Sequence, residues 1–255
     1  MTDVKIRLFV EDDLAAEVAL CIAGRQANHM AQVLRLGPGD TVALFNGRDG
    51  EWLGRIDAAG RKACAVTAVR RLREQPIEPN LTLAFAPIKK TGTDFIVEKA
   101  TELGVSRLVP VFTKHTASAR VNDERLRANA NEASQQCGRL SVPDVAMAQR
   151  FDDFLNDWPT TTPLFLADET GTGRPIAEAL SEFTGSGSDL VHGLLIGPEG
   201  GFAADELARL RAMSFVRFID LGPRILRAET AAIAALACWQ ALVGDWQRRK
   251  TELNE

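Results

Sequence analysis

The chain has 255 residues, of which 45% are hydrophobic and 25% charged, and its 30 basic and 34 acidic side chains give a net charge of −4. This is the composition of a globular protein and excludes a disordered or collagen-like chain. The four cysteines lie far apart and form no C-x-x-C pair, so the sequence predicts neither a disulfide framework nor a zinc knuckle and favours a reducing compartment.

The first 75 residues predict a small β-rich domain. They begin without the apolar segment of a secretory signal, which leads us to expect a cytoplasmic protein. Short apolar runs alternate with glycine-rich turns, a pattern typical of a small barrel or sandwich. Strands are predicted at 6–10, 41–47, 51–60 and 62–74, and a short helix at 28–36.

A proline-containing segment at 76–80 separates this region from the rest of the chain. This segment contains Pro76 and Pro79 and few apolar residues. Proline cannot donate a hydrogen bond to a β-sheet, and it stiffens a connecting segment. The sequence therefore predicts two domains, at 1–75 and 81–255, joined by this linker.

From residue 81 onward, strand patterns alternate with helix patterns. This rhythm predicts a mainly parallel sheet with helices on both faces. The predicted strands are 81–87, 106–112, 163–168, 191–197 and 215–222, the predicted helices are 91–103, 122–137, 203–213 and 229–247, and a short connector is predicted at 181–189.

The last predicted helix is apolar on nearly every face. Such a helix lies either in the centre of a core or against a second subunit, and we favour a dimer interface. Its apolar stretch, 231–243, is too short to span a bilayer, so no membrane segment is predicted.

Two loops that follow strands carry the candidate ligand contacts. Gly197-Pro198-Glu199-Gly200-Gly201 comes between a strand and a helix, where ligands bind in open α/β sheets. It matches neither the dinucleotide fingerprint nor the P-loop, so its spacing fits a tight turn equally well. In the second loop, at 221–231, Arg224 and Arg227 oppose the helix dipole, which indicates ligand or phosphate contacts, whereas Glu229 suits any helix start.

Metal and nucleophile signatures are missing from the sequence. His29, His115 and His192 have no ligand spacing, so no metal site is predicted, and there is no G-x-S-x-G elbow. The charge is unevenly distributed: residues 86–150 carry 10 basic and 7 acidic side chains, and 151–255 carry 9 and 16. A local basic surface can therefore attract phosphate in spite of the net negative charge.

Taken together, these motifs resemble the bacterial ribosomal RNA small subunit methyltransferase E family, of the SPOUT class. The matching segments span nearly the whole chain, and the pair LLIGPEGGF and LGPRILRAETA, in that order, is the most specific. Ala228 departs from the family, which more often has Thr there, and 113–120 matches only loosely. The segments are 7–10, 29–52, 98–105, 132–139 with Pro143, 194–202 and 221–231.

The resemblance implies a PUA-like β-barrel followed by a parallel-sheet SPOUT domain with a trefoil knot, in a homodimer that uses S-adenosylmethionine and no metal. It implies methylation of N3 of one uridine in 16S rRNA, and we expect the assembled 30S subunit to be the substrate. The implied cofactor-binding residues are Leu166, Ala167, Ile196, Gly197, Gly200, Gly201, Leu221, Gly222 and Leu226.

The same resemblance suggests which side chains meet the RNA. We expect Arg227 to stabilise the uridine anion, with Glu229 or Thr230 orienting it or relaying a proton. The expected RNA-binding residues are Arg7, His29 and Arg35 in the first domain, and Lys89, Lys90 and Arg139. The alternatives are a SPOUT enzyme that methylates a ribose 2′-oxygen and a non-catalytic ribosome-assembly factor. A dinucleotide-dependent oxidoreductase is disfavoured because the G-x-G-x-x-G fingerprint is absent.

Overall fold

The computed structural model describes residues 4–118, 120–184 and 191–247. They fold into two compact units. The first contains 4–76 together with Ser134–Val142, and the second contains Ile77–Ala133 and the described residues from Pro143 onward. The predicted connector at 181–189 falls partly on 185–190, which lie outside the described residues.

The first unit is built on a five-stranded sheet in the order β1-β3-β4-β5-β2. Its first pair, β1 with β3, is parallel, and the other pairs are antiparallel. Buried and exposed residues alternate along β2 and much of β5, so one face supplies the core, which includes Leu8, Leu20, Val42, Ile56 and Val66. The strands are β1 (Arg7–Phe9), β2 (Ala19–Ala23), β3 (Thr41–Phe45), β4 (Glu51–Ala59) and β5 (Ala63–Arg73).

The helical segment of this unit differs from the prediction for 28–36. It begins earlier, as α1 (Gly24–Asn28), and continues as a π-helical turn over His29–Val33. Gly24 has φ of 63°, which lets the chain turn directly from β2 into the helix. The strand β2 was not predicted because its outward-facing residues are Ala19, Cys21 and Ala23, so no polar residues mark its alternation.

The second unit contains an all-parallel sheet, as predicted, in the order β11-β13-β10-β12-β6-β7-β8. The strands are β6 (Asn80–Phe85), β7 (Arg107–Phe112), β8 (Asp144–Val145), β10 (Leu164–Ala167), β11 (Arg174–Pro175), β12 (Val191–Ile196) and β13 (Val216–Asp220), while β9 (Gln149–Arg150) pairs with β7 alone. Consecutive buried residues in β6, β10 and β12 reflect strands that are covered on both faces.

Of the six α-helices that the structure describes after residue 81, four overlap those predicted. The short α4 and α5 were not predicted, because six or seven residues are too few for a clear helical period. The helices are α2 (Lys90–Glu102), α3 (Asp123–Cys137), α4 (Phe151–Asp157), α5 (Ile176–Ser181), α6 (Ala204–Ala212) and α7 (Ala228–Leu242). The last ends five residues before the predicted 247, and Asp245–Gln247 form a 3₁₀ turn.

One side of α7 packs into the core of the second unit. Ala232, Ala235 and Trp239 are almost fully buried, and the Trp239 indole Nε1 donates to Nδ1 of His192 in β12 at 3.0 Å. Burial lowers the pKa of His192 to about 4, so the ring is neutral at physiological pH. The Gln240 side chain donates to the Leu103 carbonyl at the end of α2, at 2.6 Å. These contacts hold the last turns of α7 against β12 and the end of α2.

Candidate functional site

Three strand ends of the second unit meet at one cavity. Strands β12, β10 and β13 are neighbours and run parallel, so their carboxyl ends share one edge of the sheet. The loops that follow them, starting at Gly197, Asp168 and Leu221, line a cavity of about 440 Å³. This volume lies in the range of small-molecule and cofactor sites, about 300–1,000 Å³.

The loop after β12 requires glycine at two positions. Gly201 has φ of 68°, and a Cβ there would overlap with Oε1 of Glu169. A Cβ on Gly197 would lie 2.6 Å from the Phe202 ring. Because these residues carry no side chain, the backbone itself forms the wall of the cavity and can hydrogen-bond to a ligand.

A buried carboxylate anchors this glycine loop from the far side. Glu206 in α6 is only 5% exposed and accepts from the backbone N–H of Ala203 and of Lys114, both at 2.9 Å. The segment that contains Lys114 also contacts the loop through His115, whose Nδ1 donates to the Gly201 carbonyl at 2.9 Å. The loop is thereby held from two sides before any ligand arrives.

A second buried carboxylate shapes the loop after β10. Asp168 is 9% exposed and accepts from the hydroxyls of Thr170 and Thr172 and from the Thr170 backbone N–H. Burial alone would raise the pKa of Asp168, but these hydrogen bonds outweigh it and hold the pKa below its usual value. This role of Asp168 was not predicted, although an aspartate at the end of a strand with threonines two and four residues later is a recognisable signal.

The loop after β13 brings arginine to the same cavity. Gly222 has φ of 107° and its N–H donates to Asp220 Oδ1 at 2.9 Å, so the chain turns sharply after the strand. Arg224 and Arg227 both line the cavity and are exposed. Arg227 immediately precedes α7, and its carbonyl accepts from the Ala231 N–H at 2.8 Å.

The structure brings together most of the residues predicted for cofactor and catalysis. Gly200 does not line the cavity but faces His115, since a Cβ on it would lie 3.5 Å from the His115 Cβ. Glu229 and Thr230 lie in the first turn of α7 outside the lining, and Oε2 of the half-buried Glu229 has no hydrogen-bond partner within the part of the chain that the structure describes. The predicted residues that line the cavity are Leu166, Ala167, Ile196, Gly197, Gly201, Leu221, Gly222, Leu226 and Arg227.

The residues predicted to contact RNA lie in different surroundings. Arg7 is largely engaged within the first unit: its guanidinium donates to Glu51 and to three backbone carbonyls between Ser134 and Arg139. Arg139 donates to the Ser141 hydroxyl at 3.0 Å. His29 and Arg35 are exposed around the π-helical turn, and Arg35 has φ of 55°. The remaining two, Lys89 and Lys90, are exposed at the start of α2.

The described ranges contain neither a metal-binding cluster nor a membrane-spanning helix. Between residues 4 and 247, leaving aside 119 and 185–190, no three His, Cys, Asp or Glu side chains are grouped so that they could hold a metal ion. Over the same residues, no helix has both the length and the hydropathy needed to cross a membrane.

Family models match both units. A model described as an RNA methyltransferase domain matches residues 73–240, and one described as an RNA methyltransferase PUA domain matches residues 22–69. The first covers well over half of the chain. The second falls on the strands and helical turn of the first unit.

Curated relatives match over nearly the full length. The ribosomal RNA small subunit methyltransferase E of Rickettsia conorii is 34% identical over 232 residues, which cover 91% of this chain and 93% of the relative. The protein of the same name from Synechocystis is 31% identical over 240 residues, or 93% and 78% of the two chains.

Solved structures share the fold. That of the Neisseria gonorrhoeae ribosomal RNA small subunit methyltransferase E bound to S-adenosyl methionine superposes with a TM-score of 0.81 and covers 94% of this chain and 99% of that one, at 23% identity. A proposed methyltransferase of Legionella pneumophila, in complex with the bound cofactor SAM, has a TM-score of 0.79 at 27% identity, with 92% and 97% covered.

Proposed function

The chain belongs to the ribosomal RNA small subunit methyltransferase E family, and from this premise we propose how it works. It is an S-adenosylmethionine-dependent methyltransferase of 16S ribosomal RNA. We propose that it methylates N3 of one uridine and that the 440 Å³ cavity is where this happens. The observation that carries the proposal is the meeting of the two glycine-bearing loops with Arg227 in that one cavity.

The cavity has the properties that S-adenosylmethionine needs. Bare backbone at Gly197 and Gly201 offers hydrogen-bonding groups without side-chain bulk, and Leu166, Ile196 and Leu226 supply apolar walls for an adenine ring. When bound, the cofactor supplies a methyl group on a positively charged sulfur, which is reactive without further activation. The work left to this chain is therefore to position the acceptor base and to stabilise its charge.

Arg227 is suited to stabilise that charge. Uracil N3 is a poor nucleophile because it carries a proton. Removal of that proton leaves negative charge on N3, O2 and O4. An exposed guanidinium at the mouth of the cavity can donate to these oxygens when the base arrives. We assign this role to Arg227 because it stands where the second loop meets α7.

Glu229 and Thr230 complete the proposed catalytic group as positioning residues or proton relays. Glu229 lies two residues beyond Arg227, is half-buried, and has one carboxylate oxygen without a hydrogen-bond partner. A carboxylate in that state can orient the arginine or accept the N3 proton through the Thr230 hydroxyl.

The helix α7 supports a homodimer. No charged residue occurs between Glu229 and Asp245, and Ile233, Ala234 and Ala237 are only partly covered by their own chain. A second copy that packs on this side would bury it. We also propose a cytoplasmic location, because the substrate is a ribosomal subunit.

The deciding experiment is methyl transfer to 30S subunits from cells that lack this protein. With labelled S-adenosylmethionine, we expect one methyl group per subunit, recovered as 3-methyluridine after digestion and mass spectrometry. Recovery of a 2′-O-methylated nucleoside would replace the N3 assignment with ribose methylation. Binding of the subunit without any transfer would indicate an assembly factor.

A further inference from the structure

A second cavity, of about 560 Å³, lies in the same unit at the carboxyl end of β6. One wall is the start of α2 and the other is the segment that leads into α3. None of the residues that line it also lines the cavity assigned to the cofactor.

Basic side chains dominate the charge of this second cavity. Lys90, Arg120 and Arg125 line it, and no acidic residue does. Arg125 is paired with Asp94 at 3.2 Å, which neutralises part of its charge. Lys90 and Arg120 are exposed, and among residues 4–118, 120–184 and 191–247 neither has an acidic partner within ion-pair distance.

Two sets of hydrogen-bond donors at this cavity lack acceptors. Nε of Arg125 is shielded from solvent and has no hydrogen-bond partner among the described residues. The 13-residue helix α2 starts at Lys90 with no capping side chain and no acidic residue in its first turn, so its amino end presents partial positive charge. A buried guanidinium N–H without an acceptor is costly, and an anion would satisfy it together with the helix terminus.

The second cavity and the first one lie at the carboxyl ends of neighbouring strands. Strand β6 pairs with β12 in parallel, and β12 leads into the glycine loop. Neighbouring strands are about 4.8 Å apart, so the two cavities open on the same edge of the sheet within a few strand spacings. A nucleotide chain whose target base enters the first cavity would therefore pass its backbone over the second.

We propose that the second cavity binds a backbone phosphate of the RNA close to the nucleotide that is methylated. Lys90 and Arg120 supply the free charge, and Arg125 Nε and the α2 amides supply directed hydrogen bonds. That the bound polymer is RNA rests on the proposed function. That the second cavity binds an anion rests only on the residues that line it.

The test compares three variants of the full chain. Lys90→Gln with Arg120→Gln removes the two free charges, and Lys90→Arg with Arg120→Lys keeps them. The control, Lys99→Gln with Arg107→Gln, removes two charges of the same unit near the end of α2 and at the start of β7, the opposite edge of the sheet. Binding to 16S rRNA is measured from 50 to 200 mM salt, and KM is measured with 30S subunits.

We expect the Gln double variant to raise the RNA Kd and the KM by about tenfold and to reduce the slope of log Kd against log salt by about 1 to 2. The charge-keeping variant and the control should stay within about twofold of the wild type. An unchanged slope in the Gln double variant would overturn the proposal, as would an equal loss in the control.

Inorganic phosphate separates a polymer site from a site for a free anion. Calorimetric titration should show weak phosphate binding to the wild type and none to the Gln double variant, with RNA binding weakened in the same variant. Loss of phosphate binding with RNA binding intact would mean a free-anion site and overturn the assignment. Failure of the proposed function would show instead as absent methyl transfer by the wild type, whereas the salt slope tests this cavity without any turnover.

Discussion

At the scale of single residues, the chemistry depends on Arg227 and Glu229. We predict that Arg227→Ala and Glu229→Ala each lower methyl transfer by about 10²- to 10³-fold, as expected for loss of one group that stabilises developing charge. Calorimetric affinity for S-adenosylmethionine should change little, because neither side chain is assigned to the cofactor. Arg211→Ala, which removes an exposed arginine of α6 that lines neither cavity, is the control for charge and should keep most of the turnover. Wild-type turnover in both variants would exclude the assignment.

Another residue-scale prediction concerns the buried Glu51 of the first unit. It accepts from Arg7 at 2.6 Å and from Arg73 at 2.7 Å, and both arginines also donate to carbonyls between Ser134 and Arg139. Removing one partner leaves buried charge uncompensated, so Glu51→Ala should destabilise the unit by about 3–5 kcal/mol. Urea denaturation measures this, and Asp57→Ala, which removes an exposed carboxylate of the same strand, should have a much smaller effect.

The pH dependence of this effect has a defined sign. Burial alone would raise the pKa of Glu51, but the hydrogen bonds from Arg73 and Arg7 outweigh it and hold the pKa below its usual value of 4.5. The stabilisation is therefore complete above pH 4.5 and is lost as the pH falls through the lower pKa of the folded protein. The gap between wild type and Glu51→Ala should narrow in acid, and a gap that is constant from pH 7 to 3 would contradict the ion-pair account.

Arg7 illustrates what single residues could not reveal in the sequence. The pattern RLFV predicted its strand, and its charge suggested an RNA contact. Its partners, however, lie 44 residues away at Glu51 and more than 120 residues away around Ser134 and Arg139. No local pattern encodes such contacts, so RNA binding by Arg7 stays a prediction that must compete with this structural role.

At the scale of elements, the glycine loop after β12 is the most constrained. Gly201→Ala would place a side chain at φ of 68° and in overlap with Glu169, whereas Gly171→Ala meets φ of 73° with open space around the new Cβ. Left-handed backbone costs a non-glycine residue about 1–2 kcal/mol. We therefore predict that Gly171→Ala weakens S-adenosylmethionine binding by at most about 30-fold, which is the upper end of that cost, and that Gly201→Ala causes a clearly larger loss.

The contact with Glu169 can be isolated by a double variant. Glu169→Ala combined with Gly201→Ala removes the overlap and should restore affinity to the level of Gly171→Ala, as measured by the same titration. Equal losses for the two single glycine variants would show that the contact with Glu169 does not matter.

Elements were predictable where their period was long and clear. The predicted strands of the second unit are apolar runs, and the helices α2, α3 and α7 each have more than three turns, so both periods could be read from the sequence. The helices α4 and α5 are too short to show a helical period. The outward face of β2 consists of small apolar residues, so no alternation of polar and apolar residues marks the strand. The loops were located correctly beyond the strand ends, but their anchors, Glu206 and Asp168, depend on contacts made only in the fold.

At the scale of the whole molecule, the predicted PUA domain and the predicted parallel-sheet RNA methyltransferase domain that follows it are confirmed. The alternation of strands and helices predicted the parallel sheet, but the same rhythm also fits oxidoreductases. The combination of the two loop motifs with the N-terminal block singled out the family. The function was therefore predicted from particular residues and not from the architecture.

The homodimer is a whole-molecule prediction that α7 makes testable. We expect the wild type to sediment as a dimer at micromolar concentration and Ala237→Glu, on the partly covered side of the helix, to shift it toward monomer, since an unpaired charge in an apolar interface is costly. Ala208→Glu adds the same charge to an exposed position of α6 and should leave the dimer intact. A wild type that sediments as a monomer would refute the interface.

The last prediction concerns how an acidic protein finds a polyanion. With a net charge of −4, the molecule as a whole repels RNA. Salt screens charges beyond roughly 8–10 Å, so a phosphate responds mainly to the charges near it. Local basic surfaces, which include the second cavity, can therefore attract phosphate. Affinity should therefore fall linearly in log–log terms with salt, at a slope set by a few phosphate contacts. So few contacts hold a flexible RNA strand only weakly, so an RNA whose shape is already fixed should bind better. We therefore expect kcat/KM to be higher for assembled 30S subunits than for free 16S rRNA, in single-turnover assays at 150 mM salt. Equal values for the two substrates, or binding that is insensitive to salt, would mean that recognition rests on base contacts inside the first cavity and not on the folded surface of the subunit.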